Sequence, residues 1–182
     1  MEWLAELDRA VVEFMAITFR NGFCDAVMPV VSLSGDVGVV WLGVTAALLC
    51  FKKTRLVGVI CGCALLLHVI GCNLILKTVI GRARPDLSYW NPALLIAPTD
   101  SSFPSGHTSG SFAVGVSLFF YKWQWGLAGV GAAALVGFSR IYLCVHYLTD
   151  VAAGALLGTA CALSAGMLVK YIAFRRKRLP GI

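Results

Sequence analysis

Long apolar runs, separated by short polar segments, constrain this chain more than any other feature of its sequence. The clearest runs from residue 56 to about residue 80, where Lys77 is the only charged residue. A backbone in lipid must satisfy its own hydrogen bonds, so such a run folds as a helix that crosses the membrane. Over the whole chain 59% of residues are hydrophobic and 13% are charged, against about 45 to 50% and about 25% in soluble domains. The chain is therefore predicted to be an integral membrane protein.

Five apolar segments are long enough, or nearly long enough, to cross a bilayer. Before them, residues 3 to about 19 place apolar side chains at helical spacing with charged residues between, which is typical of an amphipathic helix on the membrane surface. The predicted fold is all-α: a bundle of five or six transmembrane helices with this amino-terminal amphipathic helix (within 1–22), which would be the sixth span if it crosses. It forms one domain over residues 1–182. The five predicted spans are 29–51, 56 to about 80, 104–121, 126 to about 145 and 147 to about 174.

Small residues predict where two of these helices pack closely. Gly154 and Gly158 are four residues apart in the last span, so they lie on one face of the helix. Such a face lets a neighbouring backbone approach.

The distribution of basic residues predicts which end of the bundle faces the cytoplasm. The net charge of +6 is explained by membrane anchoring, and no nucleic acid partner is expected. Basic residues follow the first, third and fifth spans, and the positive-inside rule makes that side cytoplasmic; they are Lys52, Lys53, Arg55, Lys122 and the run 175–178. The loops at the opposite ends are expected on the extracytoplasmic face of a cell membrane.

Residues 139–150, on that outer side, gather an arginine, a histidine and an acid beside apolar runs. His146 and Asp150 are four residues apart, so on a helix that begins near His146 their side chains share one face. The carboxylate would hold one ring nitrogen and aim the other outward, as a nucleophilic or general-base histidine requires. Arg140 carries a planar guanidinium suited to an oxyanion. The alternative interpretation is an interfacial histidine and a snorkelling arginine in a loop between spans.

A second outer segment lies where the second span runs into the following loop. It contains three basic residues, Lys77, Arg82 and Arg84, on the side that the positive-inside rule predicts to be poor in them. Their presence there favours an anion as their partner. Anchoring to lipid headgroups is the alternative.

A third outer segment opens the third span. Pro104 and Ser105 suit a helix start, where unpaired amides form an anion site, and Gly106 would let a phosphate oxygen approach the backbone. A helix cap alone explains Pro104 and Ser105 but leaves His107 without a role.

Together the segments supply cations, backbone donors, two histidines and one acid, but no carboxylate cluster for magnesium or calcium. This inventory fits phosphoryl transfer with no metal and no cofactor. As a hypothesis, His146 attacks phosphorus while Asp150 holds it, His107 protonates the leaving oxygen, and water then cleaves the phosphohistidine. The phosphate would be bound by Lys77, Arg84, Ser105, Gly106 and Arg140.

The order of these residues resembles the full three-part signature of the type 2 phosphatidic acid phosphatase superfamily. Its parts are Lys77 followed after six residues by Arg84-Pro85, then Pro-Ser-Gly-His at 104–107, then Ser139-Arg140 followed after five residues by His146 and after three more by Asp150. The resemblance implies a helical core shared with vanadium-dependent haloperoxidases, hydrolysis without a metal, and the roles given above.

A site at the outer headgroup level, reached between spans, suits a phosphate or diphosphate on a lipid. Small members of the family that the chain resembles include undecaprenyl diphosphate phosphatases and phosphatidylglycerophosphate or phosphatidate phosphatases. The outward site favours undecaprenyl diphosphate, and selectivity is expected in the helix grooves and the loop 86–102. The expected partners are this lipid and the bilayer, and no oligomeric state is predicted. Alternatives of other classes are a non-catalytic anion-binding membrane protein and a haloperoxidase that uses bound vanadate.

Overall fold

The described part of the chain folds into seven helices. A computed structural model describes residues 2–35, 38–86, 89 and 98–178, the side chains of 176–178 excepted. The helices are α1 Glu2–Glu13, α2 Gly22–Gly35, α3 Val39–Cys50, α4 Arg55–Ile80, α5 Gly106–Ser117, α6 Trp123–Tyr142 and α7 Leu148–Arg178. A π-helical stretch, Phe14–Phe19, continues α1; another, Val69–Leu76, lies within α4; and a 3₁₀ turn, Leu118–Phe120, extends α5. The predicted all-α bundle is confirmed.

Helix α5 lies at the centre of the bundle, where it packs against α4, α6 and α7. Two apolar clusters fill the interior around it. One joins α3, α4 and α5 and includes Trp41, Cys61 and Val114; the other joins α4, α5 and α7 and includes Ile60 and Ala165. Many large apolar side chains on the outer surface of the bundle remain exposed, as expected for helices that contact lipid.

In the part of the chain that the structure describes, two helices are long and apolar enough to cross a membrane by themselves: Arg55–Ile80 and Leu148–Arg175. Helices α2 and α3 meet the same measure together, as one span bent by 51° at a break that includes 36–37, outside the described residues. Helix α5 has 12 residues, or about 18 Å, which is short of a hydrocarbon core of roughly 30 Å.

The prediction of one continuous helix over 29–51 is wrong. Helix α2 begins earlier, at Gly22, contains Pro29 in its interior and ends at Gly35. Helix α3 begins after Gly38, whose φ of 66° lies in the left-handed region that glycine adopts without steric cost. The fourth predicted span also begins earlier, at Trp123.

The amino-terminal helix is confirmed, with one departure from its predicted polar face. Glu6, Arg9 and Glu13 are exposed, whereas Asp8 is only 2% exposed and faces the bundle. The helix therefore docks on the protein through a charged side chain as well as through Val12, which is also buried.

The loop between α4 and α5 is described at 81–86, at 89 and from 98 onward. The greater part of the predicted selectivity loop 86–102 lies outside the described residues. Its last residues return to the bundle, where the backbone N–H of Ser102 donates to the carbonyl of Arg82 at 2.9 Å.

The close packing predicted at Gly154 and Gly158 is confirmed between α7 and α5. A Cβ added at Gly154 would lie 2.7 Å from the carbonyl oxygen of Ser105, and one added at Gly158 would lie 2.2 Å from that of Ser109. Side chains at these positions would force the two helices apart.

Gly158→Ala should therefore destabilise the protein, by about 1–3 kcal/mol of unfolding free energy. The added methyl group meets backbone, which cannot move aside as a flexible side chain would. Thermal unfolding of the purified protein in detergent measures the effect. The matched control is Gly131→Ala in α6, where nothing lies within 4 Å of the added Cβ and the change should be neutral or stabilising. A Gly158→Ala protein that melts at or above the wild-type temperature would contradict this packing.

Candidate active site

The three segments singled out in the sequence meet at one end of the bundle. They are the end of α4 with the loop after it, the start of α5, and the turn from α6 into α7. Because successive helices run in opposite directions, these ends lie together, away from the basic loops at the other ends of the helices. A backbone hydrogen bond from the Ser105 N–H to the Asp150 carbonyl, 3.0 Å long, joins the starts of α5 and α7 directly.

His146 lies in the turn between α6 and α7 and is 1% exposed. Its Nδ1 lies 3.6 Å from Oδ2 of Asp150 and 3.4 Å from Oγ of Ser102. On the other side of the ring, Nη1 of Arg84 lies 3.2 Å from Nε2. An arginine can only donate, so this contact requires the lone pair on Nε2 and the proton on Nδ1, facing the carboxylate. The predicted pairing of His146 with Asp150 is confirmed, although helix α7 begins at Leu148.

The carboxylate of Asp150 is buried and fixed by several donors. Oδ2 accepts from the Ser102 hydroxyl at 2.5 Å and from the Tyr147 backbone N–H at 2.9 Å, and Oδ1 accepts from Nη1 of Arg82 at 2.6 Å. These contacts leave the carboxylate little freedom to turn. It therefore holds the His146 ring in one orientation.

The protonation state of His146 follows from its surroundings. Burial lowers its pKa to about 3; the nearby carboxylate of Asp150 opposes this effect, and the charges of Arg140 and Arg84 add to it. The imidazole is therefore neutral near pH 7, the form in which Nε2 carries a lone pair.

A carboxylate bridges the two cations at the mouth of the site. Asp100 pairs with Lys77 through Oδ2 and with Nη2 of Arg84 through Oδ1, the latter at 2.6 Å. Burial raises the pKa of Asp100, but the hydrogen bonds and charges of Lys77 and Arg84 outweigh it and lower the pKa to about 2. Nη1 of Arg84 also donates to the Val145 carbonyl at 2.6 Å, which holds this arginine beside His146. Lys77 and Arg84 therefore each bind one oxygen of the Asp100 carboxylate.

The other predicted site residues lie around this centre. The Ser105 hydroxyl caps α5 by accepting from Thr108, as predicted for a helix start. Gly106 faces Lys77, because a Cβ there would lie 3.8 Å from Nζ of that lysine. Arg140 is 2% exposed, and its Nη1 donates to the Ser32 hydroxyl of α2. The predicted roles of these residues in binding phosphate stay predictions.

A cavity of about 690 Å³ is lined by Lys77, Asp100 and His107. Its lining also includes apolar side chains of α3 and α4, among them Leu42 and Leu65. A lining with both charged and apolar side chains suits a ligand that carries both a charged group and an apolar chain. Among the described residues, no group of three or more His, Cys, Asp or Glu side chains is placed to hold a metal ion.

Four side chains complete the site that the sequence did not assign to it: Asp8, Arg82, Asp100 and Ser102. Arg82 is one of the three outer cations, but its carboxylate partners are remote in sequence. Asp8 lies 74 residues from Arg82, and Ser102 lies 48 residues from Asp150. No local pattern joins such partners.

Comparison with known proteins places these features in a family. The model of the PAP2 superfamily matches residues 56–177. An undecaprenyl-diphosphatase of Sulfolobus acidocaldarius is 40% identical over 124 residues, which are 66% of this chain and 59% of that protein. Phosphatidylglycerophosphatase B of Bacillus subtilis (strain 168) is 38% identical over 98 residues, which are 47% of this chain and 45% of that protein. The matches thus span about half of these relatives' length.

A solved structure has the same fold. The crystal structure of a transmembrane PAP2-type phosphatidylglycerolphosphate phosphatase from Bacillus subtilis superposes with a TM-score of 0.75 at 24% identity, over 98% of this chain and 90% of that one. The match to the family model includes all three segments of the site, and on this ground the chain belongs to the PAP2 superfamily.

Proposed function

We propose that this protein hydrolyses a phosphate ester or anhydride on a membrane lipid through a phosphohistidine intermediate, with no metal ion. One observation carries the proposal: the buried ring of His146 has Nδ1 toward Asp150 and Nε2 toward Arg84. A neutral imidazole oriented in this way has its lone pair beside a cation that can hold a phosphate.

In the first step, the Nε2 lone pair of His146 bonds to phosphorus and the bond from phosphorus to the lipid oxygen breaks. His107 gives a proton to that leaving oxygen, and the Nδ1 proton stays directed at Asp150. The ring gains positive charge as the bond forms. The buried carboxylate stabilises this charge because it lies on the other side of the ring.

In the second step, water gives a proton to His107 and attacks phosphorus, and the bond from phosphorus to Nε2 breaks. Inorganic phosphate leaves and both histidines return to their starting states. Lys77, Arg84 and Arg140 neutralise the equatorial oxygens in both steps. Substrate must displace Asp100 from Lys77 and Arg84, because the carboxylate occupies the donors that a phosphate would use.

The substrate that we propose is undecaprenyl diphosphate, hydrolysed to undecaprenyl phosphate. The cavity, which is lined by both charged and apolar side chains, supports a lipid with an anionic head. A relative named undecaprenyl-diphosphatase supports the diphosphate, whereas one named phosphatidylglycerophosphatase B supports a glycerolipid monophosphate as the second candidate.

We propose further that the site faces the extracytoplasmic side of a cell membrane. The site lies at one end of the bundle, and the basic loops with Lys52 and Lys122 lie at the other ends of the helices. The positive-inside rule supports this orientation. A periplasmic or external lipid phosphate is then the form of substrate that reaches it.

His146→Gln should lower the rate of phosphate release by about 10³-fold or more, because glutamine of similar size supplies no nucleophilic ring nitrogen. Rapid quenching of wild-type enzyme with ³²P-labelled substrate should trap an acid-labile, alkali-stable label on the protein, and the variant should trap none. Thermal unfolding in detergent shows whether the variant folds. A folded variant with near wild-type turnover would remove His146 as the nucleophile.

Phosphate release should proceed at an undiminished rate with a chelator present, because the cations of the protein occupy the place that metal ions take in other phosphoryl transfer enzymes. In the same assay, undecaprenyl diphosphate should be hydrolysed faster than phosphatidylglycerophosphate and phosphatidate. The purified protein in detergent is assayed with each lipid, with His146→Gln as the blank. Activity that is lost to the chelator and restored by a divalent ion contradicts the metal-free mechanism. Faster hydrolysis of either glycerolipid would leave the proposed mechanism in place and change the proposed substrate. No phosphate release from any of the three lipids would favour a non-catalytic anion-binding protein.

Asp100→Asn should strengthen inhibition by orthovanadate, lowering its inhibition constant by about two- to tenfold. Asparagine keeps the shape of the side chain but removes the charge that competes for Lys77 and Arg84. The Asp100 side chain is half-exposed, so the effect is modest. Inhibition constants measured against one lipid substrate at several vanadate concentrations give the comparison. If vanadate binds the variant more weakly than the wild type, Asp100 serves to position the cations and does not compete with the anion.

A further inference from the structure

We infer that Asp8, on the amino-terminal helix, is a positioning residue for catalysis that acts through Arg82 on Asp150 and so on His146. The inference rests on the proposed function, because it assigns Asp8 to the same phosphohistidine chemistry. It also gives the amino-terminal helix a part in the active site that its amphipathic pattern does not indicate.

Arg82 links two buried carboxylates with the two arms of one guanidinium. Its Nη2 donates to Oδ2 of Asp8 at 2.7 Å, and its Nη1 donates to Oδ1 of Asp150 at 2.6 Å. The guanidinium also lies over the ring of Tyr147, 4.2 Å from the centroid. A planar group held at both arms and on one face has a single orientation, which it imposes on the Asp150 carboxylate.

Asp8 is buried and contacts both Arg82 and the start of α7. It is 2% exposed, and a buried carboxylate is costly unless it is paired and hydrogen-bonded. Besides Arg82, it accepts from the backbone N–H of Thr149 at 3.0 Å and from the Thr149 hydroxyl at 2.5 Å. Asp8 therefore holds both Arg82 and the first turn of α7, the turn that carries Asp150.

The charges give Asp8 a second effect on the site. Burial lowers the pKa of Arg82, but the contacts with Asp8 and Asp150 outweigh it and raise the pKa, so the guanidinium stays charged. With Asp8 present, that positive charge is shared between two carboxylates. Without Asp8 it acts on Asp150 alone and draws the carboxylate charge away from His146, whose developing positive charge Asp150 must stabilise.

A purely structural role for Asp8 is the competing explanation, since the residue also anchors α1 to α7 through Thr149. The two explanations differ in what they require of the side chain. Anchoring through the Thr149 backbone N–H needs one acceptor oxygen, which asparagine keeps, and the Thr149 hydroxyl can accept from the amide group that replaces the other oxygen. Positioning through Arg82 needs the negative charge, which asparagine lacks. Asp8→Asn therefore separates them, and Asp8→Glu restores the charge.

The experiment is rapid-quench phosphorylation of the full chain in detergent, with ³²P-labelled undecaprenyl diphosphate and labelled phosphatidate as probes. For Asp8→Asn we expect a single-turnover phosphorylation rate constant, at saturating enzyme, and a kcat per folded protein that are about tenfold or more below wild type, KM within about threefold, and an unchanged folded fraction by thermal unfolding. Asp8→Glu should recover part of the rate. The matched control is Glu6→Gln, which removes an exposed acid from the same helix and should behave as wild type.

The folded fraction and the single-turnover rate constant distinguish the explanations even if part of the variant protein fails to fold. Misfolding lowers the folded fraction and leaves the rate constant of the remaining sites unchanged, which would overturn the inference. In an Arg82→Gln background, Asp8→Asn should cause little further loss of rate, because the path through Arg82 is already broken. An additive loss would instead assign the effect to Thr149 and overturn the inference. A wild-type protein inert on both probes overturns the proposed function and this inference with it, whereas an active wild type matched by Asp8→Asn overturns the inference alone.

Discussion

The buried carboxylate of Asp150 is the group on which the site depends. A charge removed from water must be met by donors, and this one is met from three directions: Ser102 in the loop, Tyr147 in its own turn, and Arg82 after α4. Each donor ties a different part of the chain to the first turn of α7. The requirement to satisfy one carboxylate thus brings together the segments that surround His146.

This arrangement is possible because the helices of the bundle approach closely. Gly154 on α7 lies against the Ser105 carbonyl of α5, and the Ser105 N–H reaches the Asp150 carbonyl. Helix packing within a membrane depends on van der Waals contact and on polar groups between helices, since lipid is as apolar as the side chains. The hydrogen bond between His68 of α4 and Ser109 of α5, 2.9 Å long, is a further contact of this kind. Small residues bring the backbones near, and the polar groups then fix the register of α5 against α4 and α7.

The two cations at the mouth of the site also depend on a carboxylate. Lys77 and Arg84 converge on one place, where their positive charges would repel each other without an anion between them. Asp100 supplies that anion from the loop before α5. The two cations are therefore already arranged around an anionic group, and the protein's own carboxylate keeps them in place. Arg84 also contacts Nε2 of His146, so the same arginine connects the anion site with the nitrogen that we propose as the nucleophile.

The sequence by itself determined the class of the fold, the facing pair His146 and Asp150, and the close face at Gly154 and Gly158, because each rests on local spacing. Apolar runs specify membrane helices, and a separation of four residues brings two side chains together on a helix or, as at His146, across the turn that leads into one. Local reasoning failed where a break in a helix depends on one backbone conformation, as at Gly38. Only the tertiary structure decided which remote side chains meet these residues: Asp8 contacts Thr149 across 141 positions of sequence. An acid on an amphipathic helix has the same pattern whether it faces water or a buried arginine, and only the docking of that helix determines which of the two it meets.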